Sequence, residues 1–174
     1  MNIYQEVQKK LMDDLKIKNV MATPKVMKIV VNVGAGEASE NKGVLEKIKE
    51  QLSLITGQTP VITKARVSIS AFKLRKGVPI GVKVTMRGKK MNMFLEKLVK
   101  IIIPRLRDFR GIMESSVDHH GNLNLGLTEQ TIFPEIEFDK IDKIRGLQVT
   151  VVTNAKDHEK GKKLFELMGI PFKK

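Results

Sequence analysis

From Val26 to Val33 the chain repeats with a period of two: Met27, Ile29, Val31 and Val33 fall on one side of an extended backbone, Lys28 and Asn32 on the other. A strand of this kind buries one face, so it needs an apolar layer against that face and leaves the other to solvent or a partner. The next residues supply the layer. Gly34-Ala35-Gly36 turns the chain, and Val44, Leu45, Ile48, Leu52 and Ile55 then recur at helical spacing up to Gly57, where a left-handed cap closes the helix.

The same two periods order the rest of the 174 residues. Ile3, Val7, Leu11 and Leu15 predict an N-terminal helix with Asn2 as its cap, ended by Thr23-Pro24. Val67, Ile69 and Ala71 alternate with Ser68 and Ser70, and Val82, Val84 and Met86 with Lys83, Thr85 and Arg87, which predicts two strands joined by the loop KLRKGVP. Phe94, Leu95, Leu98, Val99, Ile101 and Ile102 predict a helix stopping near Pro104, which lacks the N–H that a helix interior uses. Strand-like LNLGL (123–127), the acid-rich FPEIEFDKID (133–142) and the strand LQVTVVT (147–153) follow. Leu164, Phe165 and Met168 mark a last helix before Gly169 and Pro171. No repeat or linker divides this order. The expectation is one α+β domain over residues 1–174, with a mainly antiparallel sheet, helices packed on one face and the second face available to a partner.

Charge says what that partner is. Lys and Arg outnumber Asp and Glu by 32 to 19, a net charge of +13, and nine of the cations lie between Glu50 and Glu96, where no acid occurs. At the chain's average density about five acids belong in a stretch of that length. A field so concentrated selects an anion: nucleic acid, a phosphorylated ligand or an acidic membrane. Lys64, Arg66, Lys83 and Arg87 sit on or beside strand-like sequence, whereas Lys73, Arg75 and Lys76 belong to the loop. Short Ser and Thr side chains interleave with them as further donors to phosphate. With no Trp, one Tyr and only Phe72 among aromatics between residues 62 and 90, stacking of single-stranded bases is a minor contribution. A structured RNA read by shape, backbone and 2′-hydroxyls fits better.

Other chemistries are poorly served. Cysteine is absent, which removes disulfides and thiolate metal sites and fits a reducing compartment. Gly34 and Gly36 follow a strand as a phosphate-binding turn does, yet the third glycine and the Gly-Lys-Ser/Thr pattern are missing. His119-His120 reads as a surface turn before Gly121-Asn122 rather than a metal site. Glu135, Glu137 and Asp139 stand at strand spacing and read as a solvated or partner-facing acidic edge rather than a catalytic pair. An enzyme acting on phosphorylated substrates needs a nucleophile, a base and an orienting group, and no motif here assembles them. A peripheral membrane binder places its cations on an amphipathic helix, whereas these lie mainly in strand and loop sequence. With no apolar run of about 18 residues and no apolar leader, the sequence reads as soluble and intracellular.

PKVMKIVVNVGAGEA (24–38), GQTPVITKA (57–65), GVPIGVKVTMRG (77–88), PRLRDFRG (104–111), EQTIFPEI (129–136), RGLQVTVVTNA (145–155) and GIPF (169–172) run in order across nearly the whole chain. Together they closely resemble the large-subunit ribosomal protein L-five family, in its bacterial or organellar form. The resemblance implies a non-enzymatic constituent of the ribosome, without cofactor or metal. Its concave sheet face binds 5S ribosomal RNA and helps attach it in the central protuberance beside other components of that region. It implies further that a loop corresponding to Phe72–Gly81 contacts transfer RNA in the P site, and that the region Pro134–Arg145 forms a bridge to the small-subunit head protein S-thirteen, its carboxylates meeting a basic partner. Asn32, Gln58, Phe72 and Thr85 match positions the family places at its 5S RNA surface. The implied compartment is the cytoplasm, with an organellar ribosome also open. Two departures stand out: Val67 replaces a common Lys, and His119-His120 occupies a turn that often reads Arg-Gly-Asn.

Overall fold

The computed structural model describes residues 3–17, 19–39, 41, 43–106, 109–137 and 141–173. Its elements fall where the sequence changes period. Helix α1 is Ile3–Leu15 and strand β1 is Val26–Gly34. Helix α2 is Gly43–Thr56, and strands β2 and β3 are Val61–Lys64 and Pro79–Met86. Helix α3, Gly88–Lys97, runs into a π-helical segment, Leu98–Ile102, and a last α turn, α4, Ile103–Arg105. Strands β4 (Leu123–Leu127) and β5 (Leu147–Thr153) precede α5, His158–Leu167. The five strands form one antiparallel sheet in the order β2-β3-β1-β5-β4, so the fold is α+β.

The backbone groups into two compact units: Met1–Ile29 with Arg87–Leu125 and Thr150–Lys174, and Val30–Met86 with Gly126–Val149. In the first, α1 packs on α5 and buries Leu11 and Phe165. Helix α3 adds Met91, Phe94 and Leu95 to its core, and the π segment adds Leu98. Asp157 caps α5 by accepting the Glu159 N–H at 3.3 Å, and Gly169 ends that region at φ +88°. In the second unit, α2 packs against β3, burying all five apolar residues of its predicted stripe and ending at Gly57 with φ +62°.

Three expectations need correction. Residues 67–71 are not a strand: Val67 and Ile69 are exposed, Ser70–Phe72 is a 3-10 turn, and the strand in this region is the earlier Val61–Lys64. Alternation misled because Val67 and Ile69, though spaced as in a strand, enter no core. Met27 is exposed and Val26 buried, since the regular alternation of β1 begins only at Ile29. The segment 133–137 is a turn, not an alternating edge: Phe133 and Ile136 are buried three apart, and Pro134 removes a ladder donor. The third helix ends at Arg105, near Pro104 as expected, after a wider π turn, and the proline ring removes one N–H from the ladder. The proposed cap Asn2 and the carboxylate Asp139 lie outside the described residues.

Candidate nucleic-acid interface

The basic stretch folds mainly within the second unit. On β3 the side chains of Val82, Val84 and Met86 enter the core, which leaves Lys83 and Thr85 on the opposite row. Ile29, Val31 and Val33 of β1 are likewise buried, so Asn32 stands on the outward row of that strand. Antiparallel pairing of Val61 with Lys83 and of Thr63 with Gly81 adds Val61 and Thr63 beside Lys83. The register shifts between Thr63 and Lys64, and Lys64 itself is exposed. At Gly81 a Cβ would come within 2.8 Å of the Val33 carbonyl oxygen and 2.9 Å of Thr63 Oγ1. Only glycine fits where the strands approach.

Gln58 is partly committed. Its Nε2 donates to the Thr85 carbonyl at 3.1 Å, which ties the turn after α2 to β3. Arg87, at the start of the first unit, is exposed in the residue before α3.

Beyond Lys64 the β2–β3 ladder continues into an ordered excursion. Ala65 N–H donates to Val78 at 2.8 Å and Gly77 N–H returns a bond to Ala65 at 2.9 Å. Ile69 and Leu74 exchange bonds of 2.9 and 3.1 Å, and Ser68 Oγ accepts the Lys76 N–H at 2.9 Å. The tip turns through Ser70–Phe72 and closes with Lys73 in the left-handed region at φ +51°. Phe72 is 75% exposed, and Arg66, Lys73, Arg75 and Lys76 are all exposed around it. Among the described residues none of Lys64, Arg66, Lys73, Arg75, Lys76 or Lys83 takes part in a salt bridge within the chain. A cationic surface with no internal neutralisation is available to phosphate.

The acids of the same unit are arranged differently. Arg145, only 8% exposed, donates from Nε to Glu37 at 2.8 Å and from Nη1 to Asp142 at 3.1 Å. Lys143 reaches Glu37 at 2.8 Å and Lys47 of α2 reaches Asp142 at 3.4 Å. Hydrogen bonds from Lys143 and Arg145 hold Glu37 below the usual carboxylate range. The Arg145 guanidinium, opposed by partial burial, holds Asp142 at about 2. Sequence reasoning missed this network, because its members lie in three separate segments. Asp142 is thereby neutralised within the chain rather than displayed to a basic partner. His119 and His120 are exposed on a turn closed by Asp118, whose Oδ1 accepts the N–H groups of His120 and Asn122 at 2.9 and 2.8 Å, as expected of a surface turn.

Comparison with known proteins gives this surface a setting. Residues 19–75 match the family described as Ribosomal protein L5, and residues 79–172 match the C-terminus of that same ribosomal family. The chain is 54% identical over 170 residues to the Large ribosomal subunit protein uL5 of Dictyoglomus thermophilum, covering 98% of this chain and 95% of that protein. The protein of the same name from a Thermoanaerobacter species is 54% identical with the same coverage, and that of a Geobacter species 53% over 169 residues, 97% and 94%. Matches of this extent, spanning the cationic strands, the loop and the ion network alike, place the chain in the ribosomal protein L5 family of the large ribosomal subunit, in its bacterial type.

Proposed function

We propose that the outward face of the second unit binds 5S ribosomal RNA, and that the protein is a structural constituent of the ribosome without catalytic activity. The observation that carries this is the set of exposed, internally unpaired cations on β2, β3 and the loop, next to Asn32, Thr63 and Thr85 as short polar donors or acceptors. Lys64, Arg66, Lys83 and Arg87 neutralise phosphates, while Asn32, Gln58 and Thr85 hydrogen-bond sugars or bases. Filter binding of purified protein to 5S RNA across a salt series tests it. With roughly four to six cations on phosphates, log K against log salt should fall with a slope of about −3 to −5. A flat line removes the electrostatic basis.

The ordered loop serves a second RNA, transfer RNA in the P site. Its backbone bonds hold Lys73, Arg75 and Lys76 around exposed Phe72 without help from the sheet face. Changing these three cations together to Ala should leave 5S RNA affinity within about threefold, well short of the tenfold that 1.4 kcal/mol represents. Ribosomes carrying the variant should retain P-site tRNA less firmly. Loss of 5S binding with normal tRNA occupancy would show that the cations form one patch. The segment Pro134–Arg145 is the proposed bridge to the small-subunit head protein S-thirteen, and there Asp142 acts through the ion network rather than by direct contact.

A further inference from the structure

Ile144 is an aliphatic side chain left 57% exposed in the second unit, outside the cationic strands and loop. A single exposed isoleucine is ordinary in a soluble protein, so its surroundings decide what it can do. Here both flanking residues are tied down. Lys143 Nζ reaches Glu37 Oε2 at 2.8 Å, and the Arg145 guanidinium reaches Glu37 Oε1 and Asp142 Oδ1 at 2.8 and 3.1 Å. The backbone is clamped as well: the Lys143 carbonyl accepts from Nε2 of buried Gln130 at 3.0 Å and from Nη1 of Arg145 at 3.4 Å. Lys47 of α2 straps Asp142 from a further side at 3.4 Å.

The exposed apolar residues of the basic stretch are set differently. Val61, Val67, Ile69 and Phe72 belong to a stretch of sequence that has no acid, whereas beside Ile144 the carboxylates of Glu37 and Asp142 are matched by Lys47, Lys143 and Arg145. Charge of both signs, already satisfied within the chain, gives a phosphate backbone little to bind. What remains is an apolar side chain held in place inside a rim of satisfied polar groups. That is the anatomy of a protein–protein contact, in which the apolar centre loses water and the rim excludes it. Fixing the side chain beforehand lowers the ordering cost of association.

We propose that Ile144 is the apolar anchor of the bridge, seated in an apolar recess of the small-subunit head protein, and that Arg145 is the positioning residue that holds it there. The inference rests on the reading of Pro134–Arg145 as the bridge segment, yet it assigns the contact to apolar burial instead of carboxylates meeting a basic partner. The charges act inside the chain, where they fix the course of the backbone on both sides of Ile144.

The test titrates large subunits carrying each variant with wild-type small subunits and follows association by light scattering. Ile144→Ser should associate about tenfold more weakly, as the loss of a buried aliphatic side chain predicts, and Ile144→Leu should stay within about threefold of wild type. The gap between Ile144→Ser and wild type should hold as KCl is raised; a gap that closes with salt would make the contact electrostatic and overturn the proposal. Ile144→Arg, which places a bulky charge at the same point, separates the two readings. If it impairs association while Ile144→Ser is normal, the bridge stands and the anchor is overturned. If both associate normally, the segment is not at the interface and the bridge reading falls as well. Arg145→Lys keeps one charge but cannot hold both carboxylates and the Lys143 carbonyl together. In that background Ile144→Ser should cost only about threefold, and a full tenfold, additive loss would show that Arg145 does not position Ile144. An unchanged thermal midpoint for the Ile144 variants, whose side chain is exposed, and 5S RNA affinity within about threefold serve as folding controls.

Discussion

Gly161→Ala should destabilise the protein by about 3 kcal/mol or more, lowering the thermal midpoint by about 6 to 12 °C, despite an intrinsic helix preference for Ala of roughly 1 kcal/mol. Gly161 lies in α5 where the helix crosses the turn at Gly121 backbone to backbone. A Cβ on Gly161 would stand 2.4 Å from Gly121 Cα, 2.7 Å from its oxygen and 2.9 Å from its carbonyl carbon. These are main-chain atoms and cannot step aside as a side chain does. Gly121 is fixed in turn: its φ is +77°, and its carbonyl accepts a 2.7 Å bond from the buried Thr153 hydroxyl. Gly126→Ala, where a Cβ meets nothing within 4 Å, is the control and should shift the midpoint little. Thermal unfolding of both variants decides the matter, and equal midpoints would mean that α5 can lift off the turn at little cost.

The second large effect is expected at Arg145. Replacing it by Ala removes a guanidinium that is nearly enclosed and leaves Glu37 and Asp142 facing each other with only Lys143 and Lys47. Loss of one partner of a fully buried ion pair costs about 3 to 5 kcal/mol. Here both carboxylates remain partly in water, so about 2 to 3 kcal/mol is expected. The pH dependence has a definite sign. Asp142 is held at about 2, below its ordinary value, so its contribution is complete above about pH 4 and disappears as pH falls toward the folded value. Urea midpoints measured from pH 5 to pH 2 should therefore fall less steeply for Arg145→Ala than for wild type. Parallel curves would show that the network adds nothing to acid stability.

The sequence made the amphipathic elements readable wherever a local period met a core. Helix α2, strands β3, β4 and β5 and the cap at Gly57 follow from spacing alone, because each element buries one row of its apolar residues. The apolar alternation at 67–71 has the same period and no core to bury it, a difference that lies in tertiary structure. Strand β2 went unseen because Val61–Lys64 is a four-residue edge strand with no fully buried side chain. At the candidate interface, charge located the surface, but the pairing of Gln58 with Thr85 and the network on Arg145 join residues distant in sequence. One chain's spacing does not encode such long-range pairing.

The strand order has a consequence for how the chain acquires its shape. β1 sits in the middle of the sheet between β3 and β5, so the segment Val26–Gly34 is synthesised early while one of its two neighbours, Leu147–Thr153, comes almost last. Loop closure over that separation precedes the reward of pairing, so folding should be slow and governed by the C-terminal strand. Until β5 arrives, β1 presents an open edge to any extended chain, which makes the nascent protein adhesive during synthesis. A chain truncated before Leu147 should aggregate rather than fold, even though it retains β2, β3 and the entire cationic loop.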